Sequence, residues 1–303
     1  MEDISEIVAI WRGETRRALK SGRVLVLLIL FLMFVGLALA GGAVFTRITD
    51  QSAMGGGVVE GPAQVEARRK QALHTFVTDD EAMIDSLVAI PLLLLGVFKM
   101  TLRFLPLFIA LMGFDQLAGE VGPKSVRYLV VRVKRNSIIL GKLLSQMTLF
   151  GILMTICTVM MVLVTKALNP DFLAADVALW VAKLVISSMV LSLAYLALTA
   201  LFSALVKQGG VSLVLNIIAL FVIWFVALIG SAVRFPGEVA ANPLAMLKGE
   251  SAWAYIRYAS VWQYGDDLLH PHWGRFLTAA LVHVGFGLVF LGLAQLALRR
   301  RDL

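Results

Sequence analysis

Long apolar runs without charged residues, separated by short polar stretches, make up most of this chain. A helix of about 20 apolar residues is long enough to cross the hydrocarbon core of a bilayer. Each crossing segment must be helical because hydrocarbon offers its backbone no water, and the short alternating segments of a β-barrel are not visible. The pattern predicts an all-α integral membrane fold with six transmembrane helices. We expect these spans at residues 24–45, 95–117, 143–165, 184–206, 209–233 and 276–298.

The first apolar run must be distinguished from a cleaved signal peptide, because Ala38-Leu39-Ala40 resembles a signal-peptidase site. The run from Val24 to Phe45 is 22 residues long and extends past that site. The apolar region of a signal peptide is only about 7–15 residues long. We therefore predict an uncleaved first span.

The second span is the least regular, because Lys99 and Arg103 interrupt its apolar sequence. Counting back about 20 residues from the inner end puts the outer end of a helix near Leu95. Both basic residues then lie in outer turns, where their side chains can snorkel to the headgroups. Residues 86–98, which include Pro91, are interfacial, re-entrant or part of the second span, and one long kinked helix is the alternative.

The segments between the spans have distinct characters. Residues 1–23 predict an amphipathic elbow helix, because their apolar side chains recur at helical spacing, and such a helix lies along the inner membrane surface. Residues 46–94 form a polar outer loop with an interfacial segment, and residues 118–142 form a cytoplasmic loop. Residues 234–275 are rich in Trp and Tyr, which favours an outer interfacial position.

Composition supports the membrane assignment, with 59% hydrophobic residues and a mean hydropathy of +0.86. The net charge of +7 does not indicate nucleic-acid binding, because the basic residues flank the apolar runs as topology signals. With both termini in the cytoplasm, the inner segments hold 15 of the 27 Lys and Arg residues, although they are shorter than the outer ones. The positive-inside rule therefore predicts cytoplasmic termini.

Candidate chemistry is sparse. The chain has no G-x-x-x-x-G-K-[ST] loop, so it is not expected to hydrolyse ATP by itself. No zinc spacing and no pair of nucleophile and base stand out, so we predict no metal site and no catalytic residue. The single cysteine, Cys157, reads as a buried apolar residue. Asn216 and His283 are polar residues inside spans, which either line a pathway or make helix–helix hydrogen bonds.

The cytoplasmic loop between the second and third spans carries the most informative motif. An acidic residue, Glu120, is followed by a glycine-centred turn at Gly122-Pro123, a basic residue, Arg135, and a glycine–lysine pair, Gly141-Lys142. This arrangement resembles the type-2 ABC exporter permease family. The elbow helix, an Asn-Pro pair in the second outer segment and the basic C-terminus fit the same resemblance.

Two positions depart from the family pattern. Val121 stands where the family often has a second charged residue, and Val133 or Lys134 stands where proline is usual. Within the family, the chain looks most similar to the permeases of gliding-motility and nitrous-oxide-reductase-maturation transporters.

The resemblance implies an export function for an unidentified substrate in the bacterial inner membrane. It implies two copies of a separate P-loop ATPase, which would carry ATP and Mg, together with a second permease copy or a related permease. No cofactor is expected on this chain itself. The residues that the resemblance implies in coupling to the ATPase are Glu120, Gly122, Pro123, Lys124, Arg127, Arg135 and Lys142.

Two other classes of function remain open at the level of the sequence. One is an ATP-independent carrier or channel, against which the lack of carboxylates at mid-depth counts. The other is a membrane scaffold or enzyme without transport, against which the lack of a catalytic constellation counts. An ATPase reading frame beside the gene would favour the exporter.

Overall fold

The computed structural model describes residues 2–54, 62–76, 80–88, 90–121, 133–168, 177–234 and 256–300. Every α-helix in these ranges is named here in chain order: α1 Glu2–Lys20, α2 Gly22–Met54, α3 Pro62–Phe76, α4 Glu81–Leu87, α5 Leu92–Gly113, α6 Ala118–Val121, α7 Arg135–Leu168, α8 Ala178–Leu205, α9 Gly209–Arg234 and α10 Trp273–Arg299. Three short 3₁₀ turns precede α10, at Ile256–Ala259, Val261–Tyr264 and Asp266–Leu269.

Six of these helices are long and apolar enough to cross a bilayer. They are α2, through its stretch Val24–Val44, α5, α7, α8, α9, through its stretch Gly209–Ile229, and α10. The prediction of an all-α membrane fold with six spans is confirmed. The elbow segment forms α1, which is separated from the first spanning helix by a bend at Ser21.

The structure shows where the second spanning helix begins, which the sequence left open. Asp80 caps the short helix α4 by accepting hydrogen bonds from the backbone N–H groups of Ala82 and Met83. The helix α5 starts immediately after Pro91, whose missing N–H is not needed at a helix start. Of residues 86–98, the first two end α4 and residues 92–98 belong to α5. The helix α5 begins three residues before the predicted 95 and ends four residues before the predicted 117.

Other helices extend beyond the apolar runs that predicted them. The third spanning helix, α7, begins at Arg135 rather than at 143, so Arg135 and Lys142 lie in its first turns and not in a loop. The fourth, α8, begins at Ala178 rather than at 184, and the sixth, α10, begins at Trp273 rather than at 276. An apolar run marks the hydrocarbon depth, whereas a helix continues as long as its polar ends find partners.

The helix α8 lies at the centre of the bundle, packed against α5, α7, α9 and α10. Its closest partner is α10, where a Cβ on Gly287 would lie 3.3 Å from Cγ of Leu193. Small residues permit this approach in a membrane helix pair. The buried hydroxyls of α8 are satisfied locally, since Ser188 and Thr199 each donate to the carbonyl oxygen one turn earlier.

Ser203 plays a different part near the inner end of α8. Its buried Oγ accepts hydrogen bonds from the backbone N–H groups of Leu117 and Ala118, both at 2.9 Å. Leu117 directly precedes α6 and Ala118 is its first residue, so no carbonyl of an earlier helical turn accepts from their N–H groups. Ser203 therefore fastens the segment that follows the second span to α8.

We predict that Ser203→Ala destabilises the protein, because it leaves two buried backbone donors without an acceptor, at a cost of about 1–3 kcal/mol. The matched control is Ser188→Ala, which removes an equally buried hydroxyl that bonds only within its own helix. Thermal unfolding in detergent measures both. Equal unfolding midpoints for the two variants would contradict this role of Ser203.

Candidate functional site

The helices α1 and α7 cross at the inner end of the bundle, and Gly141 is the point of contact. A Cβ at this position would lie 2.7 Å from Cγ2 of Ile10 and 3.1 Å from the carbonyl oxygen of Ile7. No side chain larger than hydrogen fits there without displacing the backbone of α1. The glycine of the Gly-Lys pair is thus explained by the close approach of the elbow helix.

Polar contacts hold the crossing on the C-terminal side of Gly141. The indole Nε1 of Trp11 donates to Oγ1 of Thr148 at 2.9 Å, and the hydroxyl of Thr15 donates to Oγ of Ser145 at 3.1 Å. These hydrogen bonds turn one face of α1 toward α7. The elbow helix is therefore docked on the bundle through specific side-chain pairs as well as through apolar packing.

An ion pair completes this docking. Lys142 Nζ lies 3.1 Å from Oε1 of Glu14, and only 6% of the Lys142 side chain is exposed, against 27% for Glu14. An ammonium at this burial needs a partner, since an unpaired buried charge is costly. Lys142 is therefore largely buried against the elbow helix, and Glu14 is one of the groups that hold its charge there.

Arg135, at the start of α7, binds the end of α10. Its Nη1 donates to the carbonyl oxygens of Leu298 and Arg299, both at 2.9 Å. The last carbonyls of a helix lack partners within the helix and carry partial negative charge, so a guanidinium there is favourable. Arg135 thus ties the N-terminal end of the third spanning helix to the C-terminal end of the sixth.

The remaining predicted coupling residues are placed only in part. Glu120 lies in α6, the short helix that Ser203 fastens to α8. Gly122, Pro123, Lys124 and Arg127 lie outside the described residues.

A polar cavity of about 240 Å³ lies between α1, the start of α2, the end of α5 and α7. Charged and amide side chains from α1, from α7 and from the turn after α5 line it: Glu14, Arg17, Asp115, Gln116, Lys142 and Gln146. The Oε1 atoms of Gln116 and Gln146 are buried and have no hydrogen-bond partner within the part of the chain that the structure describes. A cavity of this size and polarity can hold several waters that bond to these oxygens.

The three 3₁₀ turns before α10, residues 256–269, enter the bundle from the outer side, and we refer to them as the re-entrant segment. Ser260 donates its hydroxyl to the carbonyl oxygen of Ile223, close to the midpoint of α9. Gly265 approaches Leu191, at the midpoint of α8, with 3.8 Å between a built Cβ and Cδ1 of the leucine. The segment therefore reaches the level of the midpoints of α8 and α9, and its interfacial position stays a prediction.

Non-helical backbone is tolerated at this depth only where protein or a watery cavity surrounds it. Two residues of α8 provide such surroundings. Lys183 donates from Nζ to the carbonyl oxygen of His270, and Ser187 donates to the carbonyl oxygen of Leu268 at 2.8 Å. The re-entrant segment is thereby fixed against the fourth spanning helix.

The basic residues of α5 face this segment. Lys99 Nζ lies 3.7 Å from Oδ1 of Asp266, and the Arg103 guanidinium lies 5.9 Å from the ring centroid of Trp262. The two side chains were expected to snorkel to the outer headgroups. The structure gives them partners in a segment more than 150 residues away in the chain, at the level of the re-entrant turns.

The outer end of the bundle is closed by a charged cluster. Asp80, the cap of α4, receives hydrogen bonds from His270 and Arg275, with 3.2 Å between its Oδ2 and His270 Nε2. The backbone N–H of His272 donates to His270 Nδ1, so the histidine carries its proton on Nε2. Burial raises the pKa of Asp80, but the hydrogen bonds from His270 and Arg275 outweigh burial and leave the pKa below its ordinary value.

A family model described as ABC-2 family transporter protein matches residues 8–303, nearly the whole chain. The chain belongs to the ABC-2 transporter family. It is accordingly a multi-pass membrane permease of an ABC transporter, as the motif in its cytoplasmic loop predicted. A comparison with curated proteins found no match.

The two polar residues predicted inside the spans of this ABC-2 permease are both buried. Asn216 donates from Nδ2 to the carbonyl oxygen of Ser212 at 2.9 Å, and His283 Nδ1 lies 2.8 Å from the carbonyl oxygen of Ala279. Each residue thus bonds to its own helix one turn earlier. Asn216 Oδ1 and His283 Nε2 have no partner among the residues that the structure describes. Whether either lines a pathway stays a prediction.

Sequence reasoning singled out Gly141, Lys142 and Arg135 but not their partners within the chain. Glu14 was not singled out, and Arg103 was an interruption of an apolar run. A local pattern carries no information about contacts across 128 or more residues, which is the separation between Glu14 and Lys142.

We predict that Glu14 and Lys142 are energetically coupled in the permease. Lys142→Met leaves a partly buried carboxylate unpaired, and Glu14→Gln leaves a buried ammonium unpaired, so each destabilises the fold. The double variant should lose less free energy of unfolding than the sum of the losses in the two single variants, with a coupling energy of about 1–3 kcal/mol.

The coupling energy is measured by unfolding the wild type, the two single variants and the double variant in mixed detergent micelles. The control is Lys207→Gln, which removes an exposed positive charge between α8 and α9. Additive effects of the two substitutions, with no coupling between them, would show that the ion pair does not dock the elbow helix.

Proposed function

We propose that this permease is the membrane half of an ATP-driven exporter of the bacterial inner membrane, with both termini in the cytoplasm. A separate P-loop ATPase, in two copies, binds ATP and Mg and supplies the energy. The permease pairs with a second copy or a related permease, and the substrate passes between the two. The subfamily resemblance to gliding-motility and nitrous-oxide-reductase-maturation permeases stays a prediction.

The lack of a phosphate-binding loop among these 303 residues supports a separate energy source. Membership of the ABC-2 family supports the class of that source, since permeases of this kind typically work with a partner ATPase. The energy must then arrive as mechanical force on the cytoplasmic side of the bundle. The segment that receives this force has to be connected to several spanning helices at once.

The docking of α1 across the first turns of α7 is the observation that carries the proposal. The segment between α6 and α7 leads directly into Arg135, which binds the end of α10, and into Gly141, which contacts α1. At its other end, the same segment follows α6, which Ser203 fastens to α8. A push on this segment is thereby distributed to α1, α7, α8 and α10.

Within this proposal, Glu120, Gly122, Pro123, Lys124 and Arg127 contact the ATPase. An amphipathic or short helical element there can sit in a groove of the partner. ATP-driven closure of the two ATPase subunits then shifts the permease between inward-facing and outward-facing states. Arg135 and Lys142 pass the movement on inside the permease, through α10 and α1.

Co-purification tests the proposal directly. The tagged permease is expressed together with the P-loop ATPases of its host and extracted in mild detergent. We expect one such ATPase to co-elute in equal amount and to hydrolyse ATP in the complex. Recovery of the permease without any ATPase, or ATP hydrolysis by the purified permease alone, would contradict the proposal.

We predict that Gly141→Ala weakens coupling, because the new methyl group displaces α1 from α7. Trypsin should then cleave α1 faster at its exposed arginines, Arg16 and Arg17, and the ATP hydrolysis of the complex should change several-fold. The control is Gly151→Ala in the same helix, where the nearest atom to the new methyl is the flexible end of Met189 at 3.4 Å. Identical proteolysis and hydrolysis in the two variants would contradict this prediction.

A further inference from the structure

Arg103 lies midway along α5, one of the helices long and apolar enough to cross a bilayer. Phe34, near the midpoint of the span Val24–Val44, packs against Phe104 with 5.1 Å between the ring centroids. Arg103 precedes Phe104 and lies beside the re-entrant segment, which reaches the midpoints of α8 and α9. A charged side chain at this depth is costly in lipid, so it faces a pathway, a cavity or a partner.

The surroundings of Arg103 leave its charge uncompensated within the described residues. No acidic side chain there pairs with its guanidinium, and its recorded partner is the face of Trp262. The nearby carboxylate of Asp266 binds Lys99 at 3.7 Å and is 72% exposed. The guanidinium itself is exposed on the surface of the single chain. An exposed arginine midway along a spanning helix, with an aromatic ring but no acidic partner among the described residues, leaves room for an anion to complete the site.

A small cavity of about 50 Å³ separates α5 and α8 from the re-entrant segment. Its polar wall consists of Lys99, Arg103 and Asp266, and its apolar wall includes Leu102, Pro106 and Leu191. This volume accommodates a few waters, or one compact polar group such as a phosphate or a carboxylate. Cations on one side and aliphatic side chains on the other match a ligand with a charged head and an apolar tail.

We propose that Arg103 and Lys99 receive the anionic headgroup of an amphiphilic substrate, a lipid-like molecule that carries a phosphate or a carboxylate. A guanidinium binds either group through two parallel hydrogen bonds, and Lys99 exchanges the loosely held Asp266 for the ligand. The tail lies along the aliphatic wall. This inference rests on the proposed transport function, because it assigns a class of substrate to the same permease.

Other ligand classes fit the cavity less well. A cationic molecule is repelled by Lys99 and Arg103, and a neutral glycan leaves the guanidinium charge without compensation. A soluble anion such as inorganic phosphate would satisfy the charge but would make no use of Leu102, Pro106 and Leu191.

Trp262 offers a reporter, because its ring lies against the Arg103 guanidinium. The full-length permease is reconstituted in phosphatidylcholine nanodiscs without the ATPase, and its tryptophan fluorescence is titrated with decyl phosphate. Decyl glucoside, with the same tail and a neutral head, and inorganic phosphate, with no tail, are the comparison probes. The fluorescence change assigned to the site is the part of the wild-type change that is absent from the Trp262→Phe variant.

We expect saturable binding of decyl phosphate, weakened about tenfold or more in Arg103→Gln, with an intermediate loss in Arg103→Lys, which keeps the charge but not the bidentate geometry. The control Arg69→Gln removes an exposed positive charge from α3 and should bind as the wild type does. Equal affinity in Arg103→Gln and wild type would overturn the proposal. So would equal binding of decyl glucoside, or of inorganic phosphate alone.

The titration needs no ATPase, so its result is independent of the co-purification that tests the proposed exporter function. If decyl phosphate binding depends on Arg103 but the permease recruits no ATPase, the proposed exporter function is contradicted and the proposed anion site is supported. Recruitment of an ATPase without any Arg103-dependent binding would keep the exporter and remove this class of substrate. Size-exclusion profiles of the Arg103 variants show whether each remains folded.

Discussion

The crossing of α1 and α7 at Gly141 leaves no room for a side chain, and the inner half of the permease depends on this contact. With the backbones so close, Trp11 and Thr15 reach polar partners on α7, and Glu14 reaches Lys142. The first turns of α7 then lie between the elbow helix on one side and the end of α10 on the other, which Arg135 binds. An elbow helix that lay in the headgroups without contacting α7 could not transmit force to the bundle. The docked helix connects α1, α7 and α10 at one end of the bundle.

Polar groups inside the bundle need partners within the protein, because hydrocarbon provides none. The two halves of the molecule provide these partners in different ways. On the inner side, charges are paired within the chain around a polar cavity, as Glu14 and Lys142 are. On the outer side, Ser187 and Ser260 satisfy the carbonyls that they reach, which allows the re-entrant segment to enter the bundle. Arg103 has no acidic partner among the described residues, which supports a ligand beside the re-entrant segment.

The sequence predicted the existence of the spans well and their ends less well, for a physical reason. A charge-free run reports the thickness of hydrocarbon, so six runs predicted six crossings. A helix continues past the hydrocarbon wherever tertiary partners hold its polar residues, as α10 and α1 hold Arg135 and Lys142 at the start of α7. The site could be predicted only as a list of residues in the cytoplasmic loop, because contacts such as Arg103 with Trp262 join segments with no shared local pattern.

A reversible cross-link between the elbow helix and α7 tests most directly whether they act as one body. The hydroxyls of Thr15 and Ser145 are 3.1 Å apart, so the pair Thr15→Cys and Ser145→Cys brings two thiols within reach, while the native Cys157 is buried. In the complex with its ATPase, we expect the disulfide to form and ATP hydrolysis to be equal in the oxidised and reduced states. Failure to cross-link, or hydrolysis that stops on oxidation and returns on reduction, would contradict the account.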